Sequence, residues 1–147
     1  MTVLDEKKLA TLAPEFQPVA RQVLAEAAEA LEKEGYGLIL TDARRTIARQ
    51  NELYTQGRTT PGKIVTNAKG GQSPHNFGLA FDFAPVKDGK IDWDAPRRIW
   101  EIVGKIAESH GLRWGGNFKS IVDLPHVEAM DWKLAQAAWK AGALEVA

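Results

Sequence analysis

Two histidines and the acids around them carry the most chemistry in this sequence. The stretch 73-SPHNFGLAFDF-83 sets His75 seven positions before Asp82, with Gly78 between them to let the backbone turn. A second stretch, 123-DLPHVE-128, holds Asp123, His126 and Glu128. Pro125 excludes a helix interior and favours an extended segment, on which His126 and Glu128 would share a face. Two imidazoles plus one carboxylate form a standard three-ligand set for catalytic zinc, whose fourth position stays open for water. Spacing alone leaves a second reading open, in which these are satisfied structural residues. The chain has no cysteine, so disulfides, thiolate zinc sites and a cysteine nucleophile are excluded. A metal held here would therefore be catalytic rather than structural. The third histidine, His110, lies in 109-SHG-111 at a helix C-terminus, where an imidazolium meets the macrodipole favourably, and it is given no chemical role.

The elements that must position these groups follow from periodicity. Leu79, Phe81 and Phe83 alternate with Ala80, Asp82 and Ala84, the pattern of a strand with one buried face and Asp82 on the other. Residues 15–34 carry Val19, Val23, Leu24, Ala27 and Leu31 at helical spacing, stopped by Gly35 and Gly37. A short strand over 36–43 and a helix over 46–57 come next, with Thr46 as its N-cap and Gly57 past its end. Residues 58–74 hold two prolines and three glycines without periodicity, which predicts a long surface loop. Asp88-Gly89 signals a hairpin, and Asp94 is expected to cap an amphipathic helix over 95–109 through Ile99, Ile102, Val103 and Ile106. The aspartates at 88, 92 and 94 do not fit a calcium loop. Short strands near 112–116 and 121–129 and a last helix near 131–141, with Trp132, Ala135 and Trp139 on one face, complete the chain. Helices bracketing a few hairpin-linked strands predict an α+β fold with a small antiparallel sheet.

Composition narrows the function. The 147 residues are one domain's worth of chain, 44% hydrophobic and 26% charged. Lys plus Arg and Asp plus Glu both number 19, a balance that argues against a nucleic-acid footprint. The basic run 44-RRTIAR-49 reads as a local anion site. The opening MTVLDEKKLA lacks the apolar core of a signal peptide, and no apolar run approaches a membrane span. There is no His-Glu-x-x-His helix, no Gly-x-Ser-x-Gly elbow and no phosphate-binding glycine loop.

The segment 73-SPHNFGLAFD-82 matches Ser-x-His-x-x-Gly-x-Ala-x-Asp and resembles the first metal motif of the VanY-like zinc peptidases, which act on bacterial cell-wall peptides. The segment 123-DLPH-126 resembles their second motif, an acid shortly before a metal-binding histidine. Residues 45-RTIARQNELYTQGRT-59 and 112-LRWGGNFKSIVDLPHVE-128 look like the stretches that precede the two motifs. The likeness covers roughly residues 36 to 130 and is strongest to L-alanyl-D-glutamate endopeptidases used as endolysins by tailed bacteriophages.

The resemblance implies a fold of the D-Ala-D-Ala carboxypeptidase/hedgehog-like type, with His75, Asp82 and His126 as zinc ligands. It makes Asp123 the general base, with Glu128 as a competitor, and it places Arg45 against the substrate carbonyl or carboxylate. Arg44 stands where the family usually has an aromatic residue, which keeps it in contention with Arg45. Gln50 and Tyr54 lie one helical turn apart at an edge that would face the groove, with core packing the alternative for Tyr54. Ser73 is expected to bond substrate, with shaping of the loop as its alternative. Trp114 is assigned to packing.

The expected protein is a monomeric, single-domain zinc peptidase over residues 1–147 that cleaves an amide of the peptidoglycan stem, most readily L-alanyl-D-glutamate, as a phage endolysin. It would bind neither nucleic acid nor membrane, would be made in the cytoplasm without an export signal, and would reach the wall through a separate permeabilising protein. The rivals are a D-alanyl-D-alanine carboxypeptidase or dipeptidase with the same metal site, a non-catalytic zinc-holding binding module, and a metal-free structural protein.

Overall fold

The alternating run around Asp82 lies at the centre of the sheet. The computed structural model describes residues 5–147, and in it Ala80–Lys87 (β2) is flanked by Gly37–Asp42 (β1) on one side and His126–Ala129 (β5) on the other. The short strand Lys90–Ile91 (β3) folds back on β2, and Leu112–Trp114 (β4) pairs with β5. All pairings are antiparallel. The β2–β3 turn uses Asp88 and Gly89 at φ 52° and 76°, the pair of positive values that a tight hairpin turn demands.

One face of the sheet is apolar. Phe81, Phe83, Val127 and Trp114 are buried on it, and Gln17–Glu32 (α2) and Arg97–Ser109 (α4) supply the apolar stripes that close the core around it. In α2 the buried residues Ala20, Val23, Leu24, Ala27 and Leu31 recur at helical spacing. In α4 the buried stripe is Ile99, Trp100, Val103, Gly104 and Ala107, while Ile102 and Ile106 are only half-buried. Asp94 does not cap this helix. Pro96 holds the N-cap position, and Asp92 instead takes the Asp94 amide on its side chain and the Ala95 amide on its carbonyl. Prolines are well suited to a helix start because their φ is already fixed and no amide is lost.

The alternation in β2 predicted one buried face, yet Ala80 and Ala84 are as buried as the phenylalanines. Their small side chains leave the second face room to be covered by loops. A short N-terminal helix, Glu6–Leu9 (α1), is capped by Asp5. Ile47–Thr55 (α3) is capped by Thr46, whose side chain accepts from the Arg49 amide at 3.1 Å. The last helix, Trp132–Lys140 (α5), sets Trp132 and Trp139 against Phe77, with ring centroids 6.3 and 5.9 Å away. Residues 58–73 form no helix or strand. The loop is nonetheless tied down, because Arg58 donates to the Tyr54 and Thr66 carbonyls and to Asn67 Oδ1. Among the described residues, no helix is long and apolar enough to cross a membrane.

Candidate metal centre and active site

Strand register brings the chemistry together. Asp82 sits directly opposite His126 in the β2–β5 ladder, and on its other side it faces Asp42 of β1. The second contact depends on a bulge. Leu40 pairs with Phe83 but Asp42 pairs with Asp82, so one extra β1 residue lies between them. In an unbroken ladder Asp42 would oppose Phe81 and point into the core; the bulge turns it to the site.

His75 arrives from a different element, the 3₁₀ helix Pro74–Phe77. Ser73 caps it by accepting from the His75 amide, while the Asn76 side chain accepts in turn from the Ser73 amide. Gly78 then closes the turn at φ 68°, and a Cβ there would lie 2.5 Å from the Ala13 nitrogen. That position accepts only glycine without a shift of backbone. The 2% exposed His75 ring donates from Nδ1 to the Ala43 carbonyl at 2.6 Å, which leaves Nε2 facing Asp82 Oδ1 at 3.1 Å.

The same carboxylate oxygen lies 3.1 Å from His126 Nδ1, and His126 Nε2 is 2.8 Å from Glu128 Oε1. One ligand atom from each of His75, Asp82 and His126 falls within 4.8 Å of the others. Each imidazole thus has its outer nitrogen engaged by an oxygen acceptor and its inner nitrogen turned to a shared carboxylate. That donor set fits a divalent cation of the zinc type.

Electrostatics agree with the geometry. Burial pushes the Asp82 carboxyl up, but the His75 charge and the hydrogen bonds from His126 and His75 outweigh it and hold the group far below the ordinary carboxylate range. Burial pushes His126 down, and its bonds to Asp82 and Glu128 overcome that and raise it to about 9. Asp123 is raised, chiefly by burial and further by Asp82, against the pull of His126. Its turn is fixed at the backbone: its amide donates to the Gly115 carbonyl at 2.9 Å and its carbonyl accepts from the His126 amide at 3.1 Å. A Cβ on Gly115 would lie 2.3 Å from the Asp123 carbonyl oxygen and 3.0 Å from His126 Cβ. Gly115, the first glycine of the Trp-Gly-Gly run, is therefore a requirement of this close approach.

The two arginines separate cleanly. Arg45 Nη2 lies 2.5 Å from Asp42 and 4.0 Å from Asp82, and its Nη1 donates to Gln50 at 3.0 Å. Arg44 turns away and donates to the Thr11 and Asn76 carbonyls. Arg45, Ser73, His75, Asp82, Asp123 and His126 line one cleft of about 410 Å³. Gln50, expected at the groove edge, is fully buried instead, with its amide reaching the Ala68 carbonyl at 2.8 Å. It joins Arg45 to the long loop. Tyr54 stacks under Arg58 at 3.8 Å, outside the cleft. Trp114 is buried, with its indole donating to the Leu124 carbonyl. His110 ends α4 and pairs with Glu26 at 2.6 Å.

Two residues escaped the sequence reading. Asp42 pins Arg45, and its position three residues upstream was the available signal. Phe118 lines the cleft with its ring 5.8 Å from that of His126, and nothing in its local sequence marked it.

Residues 66–129 match a peptidase family described as D-alanyl-D-alanine carboxypeptidase. The peptidoglycan L-alanyl-D-glutamate endopeptidase CwlK of Bacillus subtilis is 40% identical over 122 residues, covering 78% of this chain and 73% of that protein. The L-alanyl-D-glutamate peptidase of Escherichia phage T5 is 34% identical over 128 residues, 81% of each chain. Among solved structures, the vancomycin-resistance D,D-pentapeptidase VanY in complex with Zn(II) superposes with a TM-score of 0.55 at 15% identity, over 89% of this chain and 79% of that one, a likeness of fold. With two relatives of this identity and coverage, the chain belongs to the VanY-like M15 peptidases, close to their L-alanyl-D-glutamate endopeptidases.

Proposed function

We propose that this protein is a zinc-dependent peptidoglycan hydrolase that cleaves the stem peptide between L-alanine and D-glutamate, with all of its catalytic residues in a single domain. The observation that carries this reading is one oxygen, Asp82 Oδ1, 3.1 Å from the inner nitrogens of both His75 and His126 in a cleft that also holds Asp123 and Arg45. His75, Asp82 and His126 are the zinc ligands. Bound there, the ion would acidify a water and polarise the scissile carbonyl.

Asp123 is the general base. Its raised affinity for protons suits it to take one from the attacking water and hand it to the leaving amine as the amide C–N bond breaks. Arg45 faces the negative charge that develops on the carbonyl oxygen, or a carboxylate of the anionic stem. Asp42 and Gln50 hold its guanidinium in that direction, so Gln50 assists substrate binding from behind. Ser73 lines the cleft, and its hydroxyl accepts from the His75 amide, which leaves its proton for substrate.

The phage relative supports an endolysin role, acting on the wall after release from the cell. The description of the matched family favours a second reading, cleavage at D-alanyl-D-alanine. Digestion of purified peptidoglycan with and without a chelator, with the products identified by mass, tests both. New D-glutamate amino termini that vanish with the chelator support the endopeptidase. Release of free D-alanine supports the carboxypeptidase, and chelator-insensitive cleavage overturns the zinc assignment.

A further inference from the structure

Glu128 has no task in this hydrolytic scheme, yet its surroundings are specific. It is 4% exposed, and an acid so buried needs partners. Oε1 lies 2.8 Å from His126 Nε2, and Oε2 lies 3.3 Å from Arg113 Nη1. Register sets both contacts, since Glu128 faces Arg113 across the β4–β5 ladder and follows His126 on the same face of β5. A carboxylate only accepts, so the bond to Glu128 keeps a proton on Nε2, and the proton that Nδ1 donates to Asp82 is the one a bound ion would displace. Glu128 itself is outside the three-residue group whose ligand atoms converge.

We propose that Glu128 is a positioning residue for the metal centre. It locks the His126 imidazole with Nδ1 facing the ion, and Arg113 holds the carboxylate in that orientation. The inference rests on the assignment of His75, Asp82 and His126 as ligands. It also ranks Asp123 ahead of Glu128 as general base, since both Glu128 oxygens already accept a hydrogen bond, although Glu128 lines the same cleft.

The test measures zinc affinity of the full chain against a chromophoric chelator, for the wild type, Glu128→Gln, Glu128→Ala, Arg113→Met and the Ala/Met double variant. Nitrogen-15 shifts of the His126 ring in the zinc-loaded protein are the second readout. Glu128→Ala should weaken zinc by about 10–100-fold, and Glu128→Gln, whose amide oxygen still accepts, should recover much of that. Arg113→Met should weaken zinc less, and should add nothing once Glu128 is gone. The shifts should report Nδ1 coordination in the wild type and mixed coordination in Glu128→Ala. Should Glu128→Ala fail to fold, Arg113→Met still decides, because Arg113 is 45% exposed at the rim and its loss should weaken zinc by more than about twofold.

Zinc affinities within about twofold of wild type in the folded variants would overturn the inference. So would unchanged zinc affinity with lost turnover and a lost acidic limb in the pH profile, which would make Glu128 the base. A wild type that binds no zinc would instead overturn the ligand assignment on which the inference rests.

Discussion

The two faces of the central sheet are built from the same strands and obey different rules. On one face Phe81, Phe83, Val127 and Trp114 pack against helices, where any apolar group of similar volume would serve. On the other, Asp42, Asp82 and His126 form a row across three strands, with Glu128 and Arg113 beside it. There each group depends on the partner it meets, and a shift of one residue would scatter the set. The first face supplies stability and the second supplies chemistry. Substitutions on either should report mainly on that property.

Removing the metal should break the comparison most sharply. Extensive dialysis against chelator should abolish peptidoglycan cleavage while far-ultraviolet circular dichroism keeps its native form, and added zinc should restore activity. On the apolar face, Phe83→Ala should cost about 3–5 kcal/mol of stability in urea unfolding, with zinc affinity of the remaining folded protein unchanged. On the site face, Asp123→Asn should lower turnover by about 10²–10⁴-fold yet keep zinc bound and the urea midpoint close to wild type. Retained lysis by that variant would remove Asp123 from its role.

A subtler effect comes from protons. In the metal-free protein the folded state raises His126 from 6.5 to about 9, so it binds the proton more tightly than the unfolded chain does. The resulting stabilisation is complete below pH 6.5 and is lost as pH rises through about 9. Thermal unfolding in chelator across that window should show the decline. Zinc binding between those limits should release a proton and tighten with pH, measurable by calorimetry in buffers of different ionisation enthalpy. The smallest effect belongs to the scaffold: Thr46→Ala removes the cap of α3 and should cost about 1 kcal/mol, with little change in the zinc site.

The apolar face was the more legible of the two. Period two around Phe81 and Phe83 and the helical stripes of α2 and α4 identify themselves locally, because burial repeats with the geometry of each element. His75, Asp82 and His126 were also readable, as residue types in motif order, and the structure brings all three together. What escaped depends on register and on backbone direction. Asp42 reaches the site through a bulge that no residue type announces. Arg44 and Arg45 are neighbours in sequence, and only the path of the chain after β1 separates the one bound to carbonyls from the one in the cleft. Gln50 sits at the predicted edge of α3 but faces inward, because the loop carrying Ala68 folds over it. Parity correctly put Glu128 beside His126; its cross-strand partner Arg113 needed the ladder.

Gly115 sets a boundary on how this enzyme could change. The turn bearing Asp123 and the first residue of β5 both rest against its bare α-carbon. Any larger residue would force the Asp123 backbone to give way and would crowd His126 at the same time. On the proposed roles of Asp123 and His126, drift at that position would disturb proton transfer and ion capture together.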